Sequence, residues 1–272
     1  MRVGTGSASV MAGDGGPSLL AEERRRRVME ALARRGAVQV AALSQALGCS
    51  EATLRRDLQR LEEEGLLRRT HGGAMLSGDS PEAEPLPQDK AALRVVEKRA
   101  IAAAAARLVV PGEVVALNGG TTTLEVARRL RAIEGLRVVT NSVGIAAELA
   151  GAPGLEVTLT GGTLRGSLEL SGPLAEQSLR NVYVDTAFIG VDGLTVRHGL
   201  TTYNQAEAYI NRIMIGQARR VIAVADHTKI GRVMMALIAP ARDIAALVTD
   251  AAAPRAQLDE LRAAGIEVVV AV

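Results

Sequence analysis

Residues 38–74 read VQVAALSQALGCSEATLRRDLQRLEEEGLLRRTHGGA, and this stretch decides the fold of the N-terminal part of the chain. Apolar residues at helical spacing predict a short helix over Val40–Leu47. Its predicted apolar stripe consists of Ala41, Ala42, Leu43, Ala46 and Leu47. Gly48 is expected to end the helix, because glycine enters the left-handed cap conformation without steric cost.

A second helix follows at once. Ser50 is the predicted N-cap, and Glu51 places negative charge near the positive end of the helix. Leu54, Leu58 and Leu61 recur at spacings of four and three, which predicts one buried face. The opposite face carries Thr53, Arg55, Arg56 and Arg60. Two helices joined by a short glycine-containing turn are typical of a helix-turn-helix, whose second helix contacts DNA bases.

The next residues predict a small basic hairpin. Residues 66–71 form an extended run, Gly72-Gly73 is a turn signal, and 74–76 supply the return strand. Arginines alone would favour an exposed charged surface without nucleic acid, because charge runs are usually solvated. The ordered combination of helix, cap, arginine face and hairpin favours DNA. The predicted DNA-binding residues are Ser50, Thr53, Arg55, Arg56, Arg60, Arg68, Arg69 and His71.

Charge supports this assignment only weakly. Residues 21–69 contain 11 arginines against 8 acidic residues, a surplus of three, while the whole chain carries +2. We therefore expect DNA affinity that falls steeply with salt rather than strong nonspecific binding.

The composition also indicates the cellular compartment of the protein and the number of its domains. The lone Cys49 excludes a disulfide framework and a cysteine-based zinc cluster, and the chain contains no long uncharged apolar span. These features predict a cytoplasmic protein with no membrane segment, no metal and no cofactor. Length and composition predict a disordered tail over 1–19, a DNA-binding domain over 20–76, a proline-containing linker over 77–90 and a larger domain over 91–272.

The larger domain is predicted to be α/β. Seven short apolar runs alternate with helical patterns, and their continuous apolar character favours a mostly parallel sheet covered on both faces. The predicted strands are Val114–Leu117, Leu136–Val139, Leu155–Leu159, Thr186–Ile189, Val221–Val224, Ala246–Val248 and Val268–Val270. The predicted helices include Thr122–Arg131, Val143–Ala150 and Pro254–Ala264.

Polar residues follow the predicted strands. In such sheets ligands bind beyond the carboxyl ends of the strands, and glycines with hydroxyl side chains before a helix suit a phosphate group. The predicted effector-binding residues are Asn118, Gly119, Gly120, Thr121, Thr122, Thr123, Asn141, Ser142, Gly161, Gly162, Asp192, Glu207, Asp226 and Lys229. The first loop lacks the lysine of a Walker A motif and is not G-x-G-x-x-G, so a nucleotide is not favoured.

Each loop also has a plainer interpretation. Glycine pairs often form only tight turns, threonines often only cap helices, and Asp226 with Lys229 would also fit a surface ion pair. His198 and His227 are interpreted as loop residues, because no acid–base or nucleophile constellation surrounds them in the sequence. We therefore assign no catalytic residue.

The motifs resemble one family. EATLRRDLQRLEEEGLLRRTHGGA resembles the DNA-binding signature of DeoR-type bacterial transcriptional regulators. The later part of the chain resembles the sensor domain of the same family in six motifs: NGGTTT, VVTNS, GGTLRG, AFIGVDGL, GLTTYNQAEA and VADHTKIG. The resemblance extends from about Pro17 to the end. It implies a winged helix-turn-helix joined to a domain related to sugar-phosphate isomerases, which senses a phosphorylated sugar and releases DNA.

Two positions depart from the family pattern. The first loop begins with Asn118 where the family often has aspartate, and the helix motif has Asn211 where the family has lysine. Both departures affect the expected choice of ligand.

The sequence thus predicts a repressor of a carbohydrate-utilisation operon, relieved by a phosphorylated sugar and acting as a homodimer or homotetramer on double-stranded operator DNA. One alternative is a sugar-phosphate isomerase or deaminase with an accessory DNA-binding head. A second is an architectural DNA-binding protein whose α/β domain only oligomerises.

Overall fold

A computed structural model describes residues 21–35, 37–63, 66–70, 72–76 and 87–272. The chain divides into two compact units, residues 1–79 and 80–272. Within the described residues, no helix has the length and apolar character needed to cross a membrane.

The N-terminal unit contains three helices and a small sheet within the described residues. In chain order these are α1 (Ala21–Arg35), β1 (Ala37–Gln39), α2 (Val40–Leu47), α3 (Glu51–Glu63), β2 (Leu67–Thr70) and β3 (Gly73–Leu76). The strands pair antiparallel in the order β1-β3-β2. The predicted helix-turn-helix and hairpin are therefore confirmed. Helix α1 and strand β1 were not predicted, and β1 makes the hairpin a three-stranded sheet.

Packing in this unit follows the leucine pattern of α3. Leu54, Leu58 and Leu61 are buried, as predicted. The stripe predicted for α2 is wrong. Ala41, Ala42 and Ala46 are exposed and Leu47 is half-buried, and of the stripe only Leu43 is buried. Alanine is small enough for either face of a helix, so its spacing carried little information.

A buried ion pair joins α1 to α3. The guanidinium of Arg24 contacts both carboxylate oxygens of Asp57, with Nη2 3.2 Å from Oδ1. Each side chain is only 9% exposed. Removing a charge from water costs free energy, and the attraction between paired opposite charges offsets that cost. Arg24 and Asp57 therefore each depend on the other to remain charged in the core.

The second unit is an α/β domain. Its first half contains α4 (Pro87–Ala92), α5 (Val95–Ala106), β4 (Val114–Leu117), α6 (Thr121–Leu130), β5 (Arg137–Thr140), α7 (Val143–Leu149), β6 (Glu156–Leu159), β7 (Thr163–Leu164), β8 (Leu170–Ser171) and α8 (Pro173–Arg180). Its second half contains β9 (Val184–Gly190), β10 (Gly193–Thr195), β11 (Gly199–Thr202), α9 (Gln205–Gly216), β12 (Ala218–Val224), β13 (Ala236–Ala239), β14 (Ala246–Asp250), α10 (Arg255–Ala263) and β15 (Glu267–Ala271).

Seven strands form the main sheet, in the order β15-β14-β12-β9-β4-β5-β6. Every neighbouring pair is parallel. Two clusters of buried apolar side chains fill the domain. The predicted α/β class and all seven predicted strands are confirmed, with boundaries that differ by at most three residues.

Two small antiparallel sheets were not predicted. One has the order β10-β11-β13, and the other is the hairpin β7-β8. Their strands are two to four residues long, which is too short to leave a period-two pattern in the sequence. Of the linker predicted over 77–90, residues 77–86 lie outside the described residues, and the remainder begins helix α4.

We expect Asp57→Ala to lower the free energy of unfolding of the N-terminal unit by about 3 kcal/mol or more, because it leaves the Arg24 guanidinium buried without this carboxylate. The matched control is Glu30→Ala, which removes the exposed partner of Arg26 and should cost less than about 1 kcal/mol. Urea unfolding of the full chain measures both. Equal unfolding midpoints for the two variants would contradict the role of the buried pair.

Candidate functional site

The carboxyl ends of the central strands meet at one edge of the sheet. In the strand register, Leu117 of β4 pairs with Thr140 of β5 on one side and with Phe188 of β9 on the other. Thr140 is level with Leu159, and Gly190 with Val224. The loops that follow these five strands therefore converge, as predicted from the parallel arrangement.

The loop after β4 is fastened to the end of β9. Nδ2 of Asn118 donates to the carbonyl of Gly190 at 3.0 Å, and the Gly190 amide donates back to Oδ1 at 2.8 Å. The hydroxyl of Thr123, which is completely buried, donates to the Gly120 carbonyl. Asn118 and Thr123 thus shape the loop. The family often has aspartate at position 118. A carboxylate there has no N–H group, so it would lose the hydrogen bond to the Gly190 carbonyl.

The loop after β5 contacts the β7-β8 hairpin. Nδ2 of Asn141 donates to Oε2 of Glu169 at 3.2 Å, and both residues are buried. The hydroxyl of Ser142 caps helix α7 by accepting from the Ile145 amide. A methyl group added at Gly119 would overlap the Glu169 side chain, so the hairpin carboxylate lies directly against the first loop.

Asp192 joins residues from distant parts of the chain. Its Oδ1 lies 3.3 Å from Nζ of both Lys90 and Lys229, and Oδ2 accepts from the Thr202 hydroxyl at 3.0 Å. Burial raises the pKa of the Asp192 carboxyl, but the two ammonium groups outweigh it, so the pKa lies below its ordinary value. Lys90 also lies over the ring of Tyr203, 5.2 Å from its centroid.

Asp226 is buried rather than exposed, so its interpretation as a surface ion pair with Lys229 is wrong. Its Oδ1 accepts from the amide and hydroxyl of Thr228 and lies 3.8 Å from Nε of Arg94. Burial raises the pKa of Asp226, but Lys229, Thr228 and Arg94 together lower it below the usual value. Arg94 has a φ of 52°, a left-handed conformation that is uncommon for a residue other than glycine.

Lys98 is a buried cation beside this cluster. Its ammonium donates to the carbonyls of Lys90 and Leu93, the latter at 2.7 Å, and only 5% of the residue is exposed. Desolvation lowers the pKa of Lys98 to about 8, with Asp226 acting in the opposite direction. Lys98 therefore titrates near pH 8 rather than in the usual range of lysine.

The remaining predicted effector residues lie on three segments. Glu207 on α9 is buried and accepts from the Ser167 hydroxyl at 2.6 Å. Asn211, one turn later, is also buried, and among the described residues no donor reaches its Oδ1. Gly161 and Gly162 are exposed after β6, and a side chain at Gly162 would approach the Ser171 carbonyl to 2.6 Å. Thr121 and Thr122 are half-buried in the first turn of α6.

The predicted DNA-binding residues occupy α3 and the hairpin of the N-terminal unit. Ser50 caps α3, since its hydroxyl oxygen accepts from the Thr53 amide at 3.1 Å. The side chain of Arg55 reaches Glu51 at 2.7 Å, and Arg56 and Arg60 are exposed on the same helix. The backbone amide of exposed Arg69 donates to Glu62, which fastens the hairpin to α3. His71 and the side chain of Arg68 lie outside the described residues.

Four charged residues of the α/β site were not predicted: Lys90, Arg94, Lys98 and Glu169. Lys90 and Asp192 are 102 positions apart, and no local pattern indicates such a pairing. Lys98, on a helix otherwise rich in alanine, was the available signal. Within the described ranges, no cluster of three or more His, Cys, Asp or Glu side chains is arranged to hold a metal ion.

A three-helix unit with an exposed arginine face and a small β-hairpin, together with a parallel α/β domain whose polar loops converge, defines a winged helix-turn-helix regulator with a ligand-sensing domain. Two family models match: the DeoR-like helix-turn-helix domain over residues 24–78 and the DeoR C terminal sensor domain over residues 93–251. The chain belongs to the DeoR family of transcriptional regulators.

Individual relatives match along nearly their full length. A candidate transcriptional repressor of the aga operon in Escherichia coli O157:H7 is 40% identical over 250 residues, 91% of this chain and 93% of that protein. The HTH-type transcriptional regulator GlpR of Haloferax volcanii is 39% identical, over 92% of this chain and 98% of that protein. A solved ribose-5-phosphate isomerase with bound phospho-erythronic acid has a TM-score of 0.38 and 18% identity, over 49% of this chain and 52% of that one.

We expect the buried Lys98 to make stability depend on alkaline pH. Between its pKa of about 8 in the folded protein and its ordinary value of 10.5, the unfolded chain binds more protons, so stability rises with pH by up to about 3 kcal/mol. Urea unfolding of wild type and Lys98→Met at pH 7 to 10 isolates this contribution. A difference between the two proteins that does not change with pH would contradict it.

Proposed function

We propose that the protein is a DNA-binding transcriptional repressor of a sugar-utilisation operon and that a phosphorylated sugar, bound at the carboxyl edge of the parallel sheet, releases it from its operator. The observation that carries the proposal is the convergence at that edge of a glycine-threonine loop with one buried cation, Lys98, and three half-buried cations, Lys90, Arg94 and Lys229. The names of the related regulators support the repressor role, and none of those relatives is named as an enzyme.

The DNA-binding part of the proposal rests on α3. Its buried leucines fix the helix, while Arg56 and Arg60 are exposed on the opposite face. Arginine binds guanine edges and phosphates bidentately, which suits a helix lying in the major groove. We expect the protein to act in the cytoplasm, in the compartment that holds the chromosome.

The effector part rests on charge. Lys229 is 19% exposed, and Asp192 holds its ammonium at the sheet edge. A phosphate group on the Gly120–Thr122 turn would receive backbone N–H groups at the start of α6, and Lys229 would neutralise it. Asp192 and Asp226, both ionised at neutral pH, are suited to accept hydrogen bonds from sugar hydroxyls.

The proposed switch requires an oligomer. Operators of helix-turn-helix proteins are commonly palindromic and are bound by symmetric dimers. We propose a homodimer or homotetramer in which the effector favours a geometry that displaces the paired α3 helices. The effector must bind the two states with different affinities to have this effect.

An enzymatic role is the second candidate, and one observation favours it. Nδ1 of His227 lies 2.9 Å from Oδ1 of Asp250, and the His227 amide donates to Oδ2 at 2.7 Å. A carboxylate that orients an imidazole is a common general-base arrangement. Steady turnover of ribose 5-phosphate or an amino-sugar phosphate by the purified protein would decide for the enzyme.

Arg56→Ala should weaken operator binding about tenfold or more and reduce the slope of log affinity against log salt by about one if the lost contact is a phosphate. The matched control is Arg242→Ala, which removes a highly exposed arginine of the α/β domain and should leave both quantities unchanged. Fluorescence anisotropy with an operator selected from random duplexes measures them. Wild-type affinity and slope in Arg56→Ala would contradict the assignment.

Lys229→Ala should leave operator affinity unchanged and reduce sugar-phosphate affinity about tenfold or more, because it removes a charged hydrogen-bond donor. Lys229→Arg retains the charge and should lose less. Calorimetry across a panel of sugar phosphates, followed by operator release with the best ligand, tests this. If Lys229→Ala responds to the same sugar phosphate at the same concentration as wild type, the pocket assignment fails.

A further inference from the structure

The β7-β8 hairpin, residues Thr163–Ser171, buries a carboxylate and exposes two of its three leucines. Glu169 is 6% exposed, whereas Leu164 and Leu168 are 54% and 47% exposed. Glutamate is seldom buried, and leucine usually packs inward. A hairpin folded only for packing would have the opposite arrangement, so the position of Glu169 calls for a functional explanation.

Glu169 lies where an anion is expected. Its side chain, from Cγ to Oε1, fills the space beside Gly119, just before the start of α6. The N-terminus of a helix attracts negative charge because its first backbone N–H groups lack partners within the helix. The carboxylate therefore lies on the loop that suits a phosphate.

A second observation points to a ligand at the same place. The Asn141 amide that donates to Glu169 is 1% exposed, and no donor in the described part of the chain reaches its Oδ1. The hydroxyl of Thr160, after the neighbouring strand, is likewise buried and unbonded within the described ranges. Unsatisfied buried polar atoms are costly, and a hydroxyl-rich ligand would pair with them.

Hydrogen bonds to Asn141 and Val143 hold the hairpin against the sheet edge. The Leu170 amide donates to the Asn141 carbonyl at 2.8 Å, and the Val143 amide donates to the Leu168 carbonyl at 3.1 Å. Leu168 has a φ of 61°, a left-handed conformation that is strained for leucine. Release of the hairpin would recover this strain, which makes its displacement less costly.

We propose that Glu169 is an internal anion that competes with the phosphate of the effector for the Gly119–Gly120 loop, so that effector binding displaces the hairpin. The inference rests on the proposed function, because it concerns the same effector site. Two anions cannot share one loop without mutual repulsion. Displacement also breaks the bond from Ser167 to Glu207, which transmits occupancy of the loop to α9.

The test compares full-length wild type with Glu169→Gln, in which the side chain keeps its size and loses its charge. The probe is inorganic phosphate, measured by calorimetry. Glu169→Gln should bind phosphate about tenfold more tightly, which corresponds to about 1.4 kcal/mol. Glu156→Gln, which removes an exposed carboxylate of β6, is the matched control and should match wild type. Equal or weaker phosphate binding by Glu169→Gln, or no binding by either protein, overturns the proposal.

Hydrogen exchange provides a second readout. In wild type, phosphate should accelerate exchange of the Leu170 and Val143 amides, while in Glu169→Gln these amides should exchange faster before phosphate is added. Exchange unaffected by phosphate and by the substitution overturns the proposal. If a sugar phosphate releases wild type from DNA but Glu169→Gln binds it no more tightly, only this inference fails. If no sugar phosphate affects wild type, the proposed function fails.

Discussion

The parallel direction of the seven central strands is the constraint on which the α/β domain depends. It brings five loops to one edge, where the carboxylate of Asp192, 13% exposed, holds Lys90 and Lys229 from distant parts of the domain sequence. A carboxylate buried with a lowered pKa is stable only while its cations remain close. Asp192 thus holds the ammonium groups of Lys90 and Lys229 in position at the site. Asp192 is itself positioned by strand β9 of the sheet, which it follows in the chain.

The cations at this edge have partners. Lys90 and Lys229 contact Asp192, and Arg94 contacts Asp226, while Lys98 donates to two backbone carbonyls. An added phosphate therefore enters a site whose cations already have partners, and it must change an existing contact to bind. Such a site suits a sensor, because ligand binding and rearrangement are then the same event. Negative charge arriving beside Lys98 would raise the pKa of its ammonium above about 8 and so favour the charged form.

Much of this was predictable from sequence because strong patterns have strong physical causes. The strands of a doubly covered parallel sheet are continuous apolar runs, so Val114–Leu117 and its neighbours were identified within a few residues. The stripe of α2 was not, since alanine fits either side of a helix. Glu169 was missed because its significance depends on Gly119, 50 positions earlier, and only the fold brings the two together.

Membership of the DeoR family joins the two halves of the chain in one account: a winged helix-turn-helix and a domain that responds to a ligand. The most direct test of that account is operator affinity of the full-length protein, titrated with each phosphorylated sugar and with the same sugar lacking phosphate. We expect one phosphorylated sugar to weaken operator binding and the same sugar without its phosphate to have no effect. Equal effects of the two, or unchanged affinity across the whole panel, would contradict it.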